Sequence, residues 1–328
     1  LFQLLNYAMT ESLQDYVKKR GFAESFLYLG SKTTSRIRGE LEFGTENGTN
    51  RYRFTLVAAA GDILIFSEES IFFQANGHPR LIENTLDPGG RESALPKATI
   101  PPLNHAEMAA ARAISNQLSR KRVYQFHDTS MESRLRKATI LDDNRYLRSD
   151  GGNLSAVLFR LQQDRSDYYR RIILQLRRMI PGFRDFVLEP ENEHILLRWR
   201  GHDPEYIFGS HQLSDGSLRL MALTTLFLQP PEDLPDMIIV DEPELGLHPQ
   251  AEALLAGLIR SASSRCQVLL ATQSASFVDN FEPEDVIVCE MEDTESRFQR
   301  PTRSELAGWL EDYSLGEVWR KNVMGGQP

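Results

Sequence analysis

Two short apolar runs near the end of the chain each lead into polar residues. Residues 237–242 read Met-Ile-Ile-Val-Asp-Glu, and residues 268–274 read Val-Leu-Leu-Ala-Thr-Gln-Ser. Continuous apolar runs of this kind are typical of parallel strands that are covered on both faces. The spacing of Leu and Ile within 249–262 predicts a helix between them. The pattern therefore predicts a strand–helix–strand unit with parallel strands, and α/β proteins place ligands at the carboxyl edge of such a sheet.

Asp241 and Glu242 are the candidate metal-binding and catalytic residues at that edge. Asp241 would hold a magnesium ion or one of its waters, because Mg²⁺ prefers hard oxygen ligands. Glu242, one position on, would point the other way and polarise an attacking water. The alternative is a buried strand that ends in a solvated Asp-Glu turn before Pro243.

The segment before this unit has the pattern of a helix with a polar start. Ser214 and Asp215 are capping residue types, and Gly216 allows close approach of a backbone. After Ser217 the spacing predicts a helix with one apolar face, formed by Leu218, Leu220, Met221, Leu223 and Leu226. Free backbone N–H groups and the positive end of the helix dipole make such a start an anion site. A γ-phosphate is the natural ligand, and a plain N-capped helix is the alternative.

Two further polar residues follow the apolar runs. Gln273 would hydrogen-bond a γ-phosphate or the attacking water, unless residues 272–274 are only a strand-to-helix turn. His248, before Pro249, would touch a partner subunit or its nucleotide; equally, it would be the entry residue of the helix. None of the seven histidines pairs with another at metal-ligand spacing.

The rest of the chain predicts an antiparallel meander followed by helices. The strands are expected at 36–43, 51–57 and 63–66, with the turn Glu46-Asn47-Gly48, a linker at 85–102, helices at 105–118 and 153–180, and strands at 194–200 and 206–208. We therefore expect three parts: an N-terminal lobe at 1–104, a helical insertion at 105–190 and a C-terminal lobe at 191–328.

Composition narrows the class of protein. The chain has 328 residues, 41% of them hydrophobic, so it is long enough for about two domains. No apolar run approaches the length of a membrane span, and no basic-then-apolar leader opens the chain, so neither a membrane nor secretion is indicated. The two cysteines, Cys266 and Cys289, favour a reduced cytoplasmic protein without a disulfide or metal site.

The charge is unevenly distributed. Residues 105–180 carry 15 Lys and Arg against 8 Asp and Glu, whereas the whole chain has a net charge of −9. Arg170 and Arg177 are seven residues apart, as are Arg171 and Arg178, which places each pair near the same helical face two turns apart. This asymmetry is expected of a nucleic-acid-binding face, or of arginines that only coat the solvated side of a helix.

Together the motifs resemble those of the ABC/SMC-like AAA ATPases, a class that includes RecF-like and overcoming-lysogenization-defect-like heads. Residues 213–217 resemble the signature motif, 237–242 Walker B with its catalytic glutamate, 245–249 the D-loop and 272–274 the switch-histidine loop. Residues 309–316 and Gly325-Gly326 resemble the closing segment of one branch of this class, small bacterial ATPases that are often encoded in mobile or defence gene neighbourhoods.

The resemblance implies a fold, two cofactors and an assembly. It predicts an α/β, ABC/SMC-type P-loop NTPase head with an antiparallel β lobe and a helical insertion, which binds ATP and Mg²⁺. A phosphate loop and Walker B of one subunit would hold ATP, and residues 214–217 of a second copy would close over its γ-phosphate. The expected assembly is a homodimer in which ATP is bound between the two copies, an ATP sandwich.

Two departures from the family pattern change the expectations. Gln273 stands where transporter-type relatives have His; it can donate a hydrogen bond to phosphate but cannot take up a proton as an imidazole does. No Gly-x-x-x-x-Gly-Lys-Ser/Thr occurs in the 328 residues. The opening helix resembles the one that follows this phosphate loop, so we expect the loop upstream of Leu1, or else a natural loss. Without the loop, the chain as given is not expected to hydrolyse ATP.

Two functions from different classes follow. The first is an ATP-hydrolysing dimeric switch, which the resemblance places in DNA repair or anti-phage defence, gating a nuclease or toxin encoded nearby. The second is a non-hydrolysing nucleotide-binding scaffold that holds a partner protein or nucleic acid. The missing phosphate loop favours the scaffold, whereas the Asp241-Glu242 pair favours the enzyme.

Overall fold

The computed structural model describes residues 2–46, 48–76, 81–86, 88–96, 105–203 and 205–326. It divides into two compact units, residues 1–122 and 123–328. Leu1, the predicted turn residue Asn47, and residues 87 and 97–102 of the predicted linker lie outside the described residues. The three-part division at 1–104, 105–190 and 191–328 stays a prediction.

The first unit combines an antiparallel sheet with helices. Its elements are α1 (Phe2–Met9), α2 (Leu13–Lys19), β1 (Arg36–Thr45), β2 (Gly48–Ala59), β3 (Ile63–Ala75), β4 (Leu81–Thr85) and α3 (His105–Ser119). The sheet order is β1-β2-β3-β4, and every pairing is antiparallel. The predicted antiparallel meander is thus confirmed, with strands longer than predicted.

Alternation along β2 explains how this sheet is covered. Tyr52, Phe54 and Leu56 are buried on one face and pack with the helices in a single apolar cluster. On the other face, Arg51 and Arg53 pair across the strand with Glu40 at 3.2 and 3.0 Å. The sheet therefore has one core face and one charged face, as its sequence period of two requires.

A carboxyl group is fully buried in this unit. Glu69 has no exposed surface; it accepts hydrogen bonds from the hydroxyls of Tyr52, at 2.6 Å, and Ser93, and from the amide of Ala94 at 3.0 Å. Burial raises the pKa of Glu69 above its ordinary value, against these hydrogen bonds, which lower it. Glu69 thereby fastens the chain at residues 93–94 to strand β3.

The second unit begins within strand β5 (Lys121–Tyr124), which crosses the division between the units. The elements that follow are β6 (Thr139–Ile140), α4 (Leu154–Asp164), α5 (Ser166–Met179), β7 (Asp185–Val187), β8 (His194–Ile195), β9 (Arg198–Arg200), β10 (Ile207–Gly209), α6 (Asp215–Leu228), β11 (Met237–Asp241), α7 (Pro249–Ser263), β12 (Gln267–Ala271), α8 (Ala275–Val278), β13 (Val288–Glu292), β14 (Glu295–Gln299), α9 (Arg303–Leu310) and α10 (Leu315–Arg320).

The core of the second unit surrounds helix α6. Within the described part of the chain, β12, β11 and β5 form a sheet in that order, and β11 pairs with β12 in parallel. The predicted strand–helix–strand unit is thus confirmed. Every α6 residue from Leu218 to Phe227 is buried, so the helix packs on all sides rather than on the single apolar face that its spacing predicted.

Two predicted elements differ from the structure. The helix predicted at 153–180 is two helices, α4 and α5, because the backbone of Arg165 leaves the helical region with φ −137° and ψ 53°. The strand predicted at 194–200 is two short strands, β8 and β9, which pair in different sheets. In both places polar residues interrupt a pattern that looked continuous.

Among the described residues, no helix has both the length and the apolar character that a membrane crossing requires.

Replacing Glu69 tests the buried carboxyl. Because its pKa is raised in the folded state, Glu69 contributes stability at acid pH, and that contribution is lost as pH rises through the folded-state pKa. Glu69→Gln does not titrate and replaces one of the two acceptor oxygens with a donor NH2 group in a fully buried site, which costs about 1–3 kcal/mol. Urea unfolding of both proteins, followed by circular dichroism, should show the variant's deficit greatest near pH 4.5 and smaller at pH 7.5. A deficit independent of pH would contradict the assignment.

Candidate active site

The carboxyl ends of β11 and β12 bring two predicted groups of residues to one edge of the sheet. Asp241 lies opposite Ala271 in the parallel register, and the amide of Glu242 donates to the carbonyl of Ala271 at 2.8 Å. Thr272 and Gln273, which follow β12, therefore lie at the same edge of the sheet as Asp241 and Glu242. Asp241 and Gln273 are exposed and Glu242 is half-buried, so these side chains are accessible to a ligand.

Glu242 adopts a backbone conformation that is rare for a residue with a side chain. Its φ is +42°, in the left-handed region. The turn it opens is closed by hydrogen bonds from Leu245 N to Glu242 O and from Leu247 N to Glu244 O, at 3.2 and 2.9 Å. The backbone therefore leaves the strand conformation at Glu242, whereas Asp241 is still part of β11. Strand alternation, on which the predicted divergence of the two carboxylates is based, thus does not extend to Glu242.

A histidine that sequence analysis missed faces Asp241. His127 Nε2 lies 3.9 Å from Asp241 Oδ2; this nitrogen is buried and has no hydrogen-bond partner among the described residues. The distance is too long for a direct hydrogen bond and suits a bridging water. The sequence held a usable signal, since polar residues follow the strand ending at Tyr124 just as they follow β11 and β12.

The predicted signature residues form a capped helix start. Ser214 is the N-cap of α6: its hydroxyl accepts from the amide of Ser217 at 3.1 Å and lies 2.8 Å from that residue's hydroxyl. This bond uses one amide that the sequence analysis treated as free for an anion. The amides of Asp215 and Gly216 remain in the first turn, where an α-helix offers no internal acceptor.

Two buried arginines that the sequence did not single out hold this helix start. Arg136 donates to the carbonyls of Ser210 and Leu213 and to Asp215 Oδ1 at 2.9 Å. Arg219 donates to the carbonyls of Phe126 and Leu245. Together they fasten the signature residues to the segment after β5 and to the turn after Glu242.

The charge environment of Arg219 connects the two motifs. Burial lowers the pKa of its guanidinium from the ordinary value, whereas the carboxylates of Asp215 and Glu242 act in the opposite direction. Arg219 thus lies close enough to interact electrostatically with Asp215 of the signature motif and with Glu242 at the end of β11. No local pattern indicates this arrangement, because an arginine within an apolar helix resembles a solvated residue.

The D-loop position packs directly against the signature glycine. A Cβ built on Gly216 would lie 2.3 Å from the carbonyl oxygen of Gly246, so only glycine permits this approach. His248 then caps α7, where its side chain accepts from the amide of Gln250 at 3.3 Å. Of the two roles considered for His248, the structure therefore displays the helix-entry contact.

Residues 272–276, which we term the switch loop, contact the C-terminal segment 280–326. The amide of Gly316 in α10 donates to Asp279 Oδ1 at 2.6 Å, and a Cβ on Gly316 would lie 2.1 Å from the carbonyl oxygen of Ala275. A cleft of about 930 Å³ opens beside this contact; Gln273, Ser276, Met291, Trp319 and Arg320 are among the residues that line it.

The four predicted nucleic-acid contacts lie elsewhere in this unit. Arg170, Arg171, Arg177 and Arg178 are all on the exposed side of α5, opposite its buried apolar face. Arg177 donates to the carbonyl of Arg184 at 2.7 Å, and Arg171 lies over the Tyr168 ring. No carboxylate of the described residues forms an ion pair with any of the four.

The residues at the sheet edge suit a magnesium ion that arrives with a nucleotide. Among the described residues, no three His, Cys, Asp or Glu side chains converge as a complete metal site would. Mg²⁺ in nucleotide sites is typically held by one or two carboxylates, waters and phosphate oxygens. Asp241 supplies one such carboxylate, and His127 Nε2 lies 3.9 Å from its Oδ2.

Comparison with protein families gives one match. A family model described as "AAA domain, putative AbiEii toxin, Type IV TA system" matches residues 1–279. The C-terminal segment 280–326 lies beyond this match. No curated protein matches the chain.

Solved structures with similarity to this chain include several SMC heads. An Smc head bound to the C-winged-helix domain of ScpA is 12% identical, with a TM-score of 0.49 over 93% of this chain and 87% of that one. A Pyrococcus furiosus Smc head with an extended coiled coil, bound to the C-terminal domain of ScpA, is 12% identical over 95% and 89%, with a TM-score of 0.46. An SMC head from Thermotoga maritima is 11% identical over 90% and 86%, with a TM-score of 0.38.

Substituting Gly316 tests its contact with the switch loop. Gly316→Ala forces a Cβ against the Ala275 carbonyl and should destabilise the protein by about 1–3 kcal/mol, the usual cost of overpacking. Gly308→Ala in α9 is the matched control: its Cβ meets open space, so the variant should be neutral or more stable by about 0.5–1 kcal/mol. Urea unfolding followed by tryptophan fluorescence measures both. Equal stabilities of the two variants would show that the contact is loose.

Proposed function

This chain belongs to the AAA-domain family that its residues 1–279 match, and from that membership we propose an ATP-hydrolysing switch that closes as a homodimer. Membership in this ABC/SMC-like class makes the chain a nucleotide-binding ATPase, in agreement with the resemblance noted from its motifs. The observation that carries the proposed hydrolysis is the register of β11 and β12. It puts Asp241, Glu242 and Gln273 at one accessible edge.

The proposed mechanism assigns one task to each residue at the edge. Asp241 would hold Mg²⁺, with His127 contacting one of the waters of the ion. When bound, the ion would polarise the phosphate oxygens. Glu242 would accept a proton from the attacking water. Gln273 would donate its amide N–H to the γ-phosphate or to that water.

The signature motif would act in the site of a second copy. Its exposed hydroxyls and first-turn amides, with the positive end of α6, suit the γ-phosphate of a nucleotide held by the other subunit. Arg136 and Arg219 would keep this motif in place relative to the D-loop of the same subunit. ATP would therefore join two copies, and hydrolysis would release them.

A non-hydrolysing scaffold is the other function consistent with these residues. It would bind nucleotide through the same edge and hold a partner without turnover. The scaffold needs neither the left-handed turn at Glu242 nor the accessible amide of Gln273, and both favour the enzyme. The codons upstream of Leu1 discriminate between the two: a Gly-rich loop ending in Lys-Ser or Lys-Thr supports the enzyme.

The biological role that we propose is the gating of an effector. The family description names a toxin of a type IV toxin–antitoxin system. By extension, this ATPase would control a toxin or nuclease partner in defence or DNA repair. Isolation of the native complex, followed by identification of its protein and nucleic acid, tests this role; a complex that never contains a toxin or nuclease would argue against it.

Replacing the proposed base tests the switch. In the intact protein, Glu242→Gln should lower ATP turnover by at least about 100-fold, because general-base catalysis contributes at least that much. ATP affinity should stay within about threefold, and the ATP-bound dimer should live longer, since only the water-activating group is lost. Size-exclusion chromatography with ATP measures the dimer. Glu232→Gln, at an exposed glutamate paired with Arg165, is the control and should behave as the parent. A variant that stays monomeric with ATP would refute the sandwich.

A second candidate activity is nucleic-acid binding by helix α5. The observation that favours it is the row of four exposed arginines without carboxylate partners. Exposed cations without carboxylate partners suit contacts with the phosphates of a nucleic acid. The affinity of such contacts depends on salt concentration rather than on nucleotide sequence.

Reversing the charge of these arginines tests nucleic-acid binding. Changing Arg170, Arg171, Arg177 and Arg178 to Glu should abolish binding of duplex and single strands and leave ATP binding unchanged. In the parent, the slope of log affinity against log salt should be about −3 or steeper. The charge-matched control changes four arginines that form ion pairs, Arg134, Arg148, Arg297 and Arg303, to Glu. If both quadruple variants lose nucleic-acid binding equally, only the net charge of the protein matters. If the α5 variant still binds nucleic acid, the arginines of α5 form only a solvated face.

A further inference from the structure

A buried carboxylate next to the proposed active site has no task in the mechanism above. Glu244 follows Asp241 by three residues, and only 7% of it is exposed. Its Oε1 accepts a hydrogen bond from the hydroxyl of Thr272. Its Oε2 is buried without a partner among the described residues. Burial raises the pKa of Glu244 above the ordinary value. Burying a carboxyl that leaves one oxygen without a partner is costly, so the bond that Glu244 makes to the switch loop is of interest for function.

The hydroxyl of Thr272 links Glu244 to the backbone of the switch loop. While it donates to Glu244, the same oxygen accepts from the amide of Ser274 at 3.0 Å. The hydroxyl of Ser274 in turn accepts from the amide of Phe277 at 3.2 Å. Thr272 and Ser274 flank Gln273, so the backbone on both sides of that residue belongs to one hydrogen-bonded chain that begins at Glu244.

A second carboxylate holds the far end of the loop. Glu252 in the first turn of α7 is 8% exposed and accepts from the hydroxyl of Ser276 at 3.0 Å. The hydroxyls of Ser274 and Ser276 lie 2.9 Å apart. The loop is thus anchored at Thr272 and Ser276 to the segment that follows β11, which also carries Glu242.

Gln273 itself contributes nothing to this anchoring. It is exposed, and its side chain has no hydrogen-bond partner among the described residues. Its location is therefore set by the backbone alone. A hydrogen bond to a carboxylate is stronger than one between neutral groups, and displacing an active-site group by 1 Å costs about 100-fold in rate.

We propose that Glu244 is a positioning residue of the ATPase: through Thr272 it fixes the switch loop so that Gln273 reaches the γ-phosphate or the attacking water. The inference rests on the proposed function in the role given to Gln273. It assigns Glu244 no contact with nucleotide. The contact also couples the turn that orients Glu242 to the loop that presents Gln273, so the two groups keep one relative position.

Removing the Thr272 hydroxyl tests the proposal in the intact protein. Thr272→Val keeps the shape of the side chain and should lower kcat by about 10- to 100-fold, while the KM for ATP changes less than about threefold. Thr272→Ser keeps the hydroxyl and should stay within about threefold of the parent. Thr55→Val is the matched control, because Thr55 makes the same type of bond to Glu68, at 2.9 Å, in the first unit. Its kcat should match that of the parent.

The partner side of the contact gives a second test. Glu244→Met has similar volume and no acceptor, so it should reproduce the effect of Thr272→Val. The double variant Thr272→Val/Glu244→Met should lose no more than either single variant, because both remove one contact. Multiplying effects would overturn the proposal, and so would a Thr272→Val protein with the parent's kcat.

Hydrogen exchange separates this proposal from the proposed function. Peptides covering 272–278 should exchange faster in Thr272→Val than in the parent, by about tenfold or more, since the Ser274 amide loses its acceptor. Thr272→Ser should exchange as the parent does. If the parent shows no ATP hydrolysis, the proposed function fails, and exchange in Glu244→Met, which keeps the bond from the Ser274 amide to the Thr272 hydroxyl, still decides whether Glu244 holds the loop. Unchanged exchange in Glu244→Met would refute the anchoring, whatever the parent's activity.

Discussion

The parallel pairing of β11 with β12 is the constraint on which the site depends. Both strands are short apolar segments, and α7 connects them with enough length to return the chain to the same end of the sheet. Side chains that follow the strands must then emerge together. A register shift by one residue would turn Asp241 to the opposite face and separate it from the switch loop. The apolar character of residues 237–240 therefore determines where the polar residues act.

Buried polar contacts then convert this edge into a fixed arrangement. Arg136 and Arg219 hold carbonyl groups of loops that the core alone would leave free, and Glu244 holds the loop after β12. Both arginines are hydrogen-bonded, which is the condition for burying a charge without a large penalty, whereas Glu244 is bonded to the loop through one oxygen only. Helix α6 is correspondingly enclosed, so the signature residues at its start have little freedom of their own. Rigidity at the site thus comes from loop anchoring more than from secondary structure.

The sequence predicted the elements whose signal is local. The apolar runs before Asp241 and Thr272, the capped start at Ser214 and the alternating strands of the first unit all follow from side-chain period and capping chemistry. The break at Arg165 was missed because polar residues there also fit an exposed helical face. His127, Arg136, Arg219 and Glu244 were missed as contributors to the site for another reason. Their surroundings come from segments far along the chain, and local pattern carries no information about such contacts.

The left-handed backbone at Glu242 has a consequence for how this protein would change under selection for thermostability. A non-glycine residue in this conformation costs about 1–3 kcal/mol, which glycine would recover. A laboratory search that rewarded heat resistance alone would therefore favour Gly at position 242 and discard the carboxylate. A search that also rewarded turnover would keep Glu and gain its stability elsewhere. The preferred residue at this one position would reveal which property was under selection.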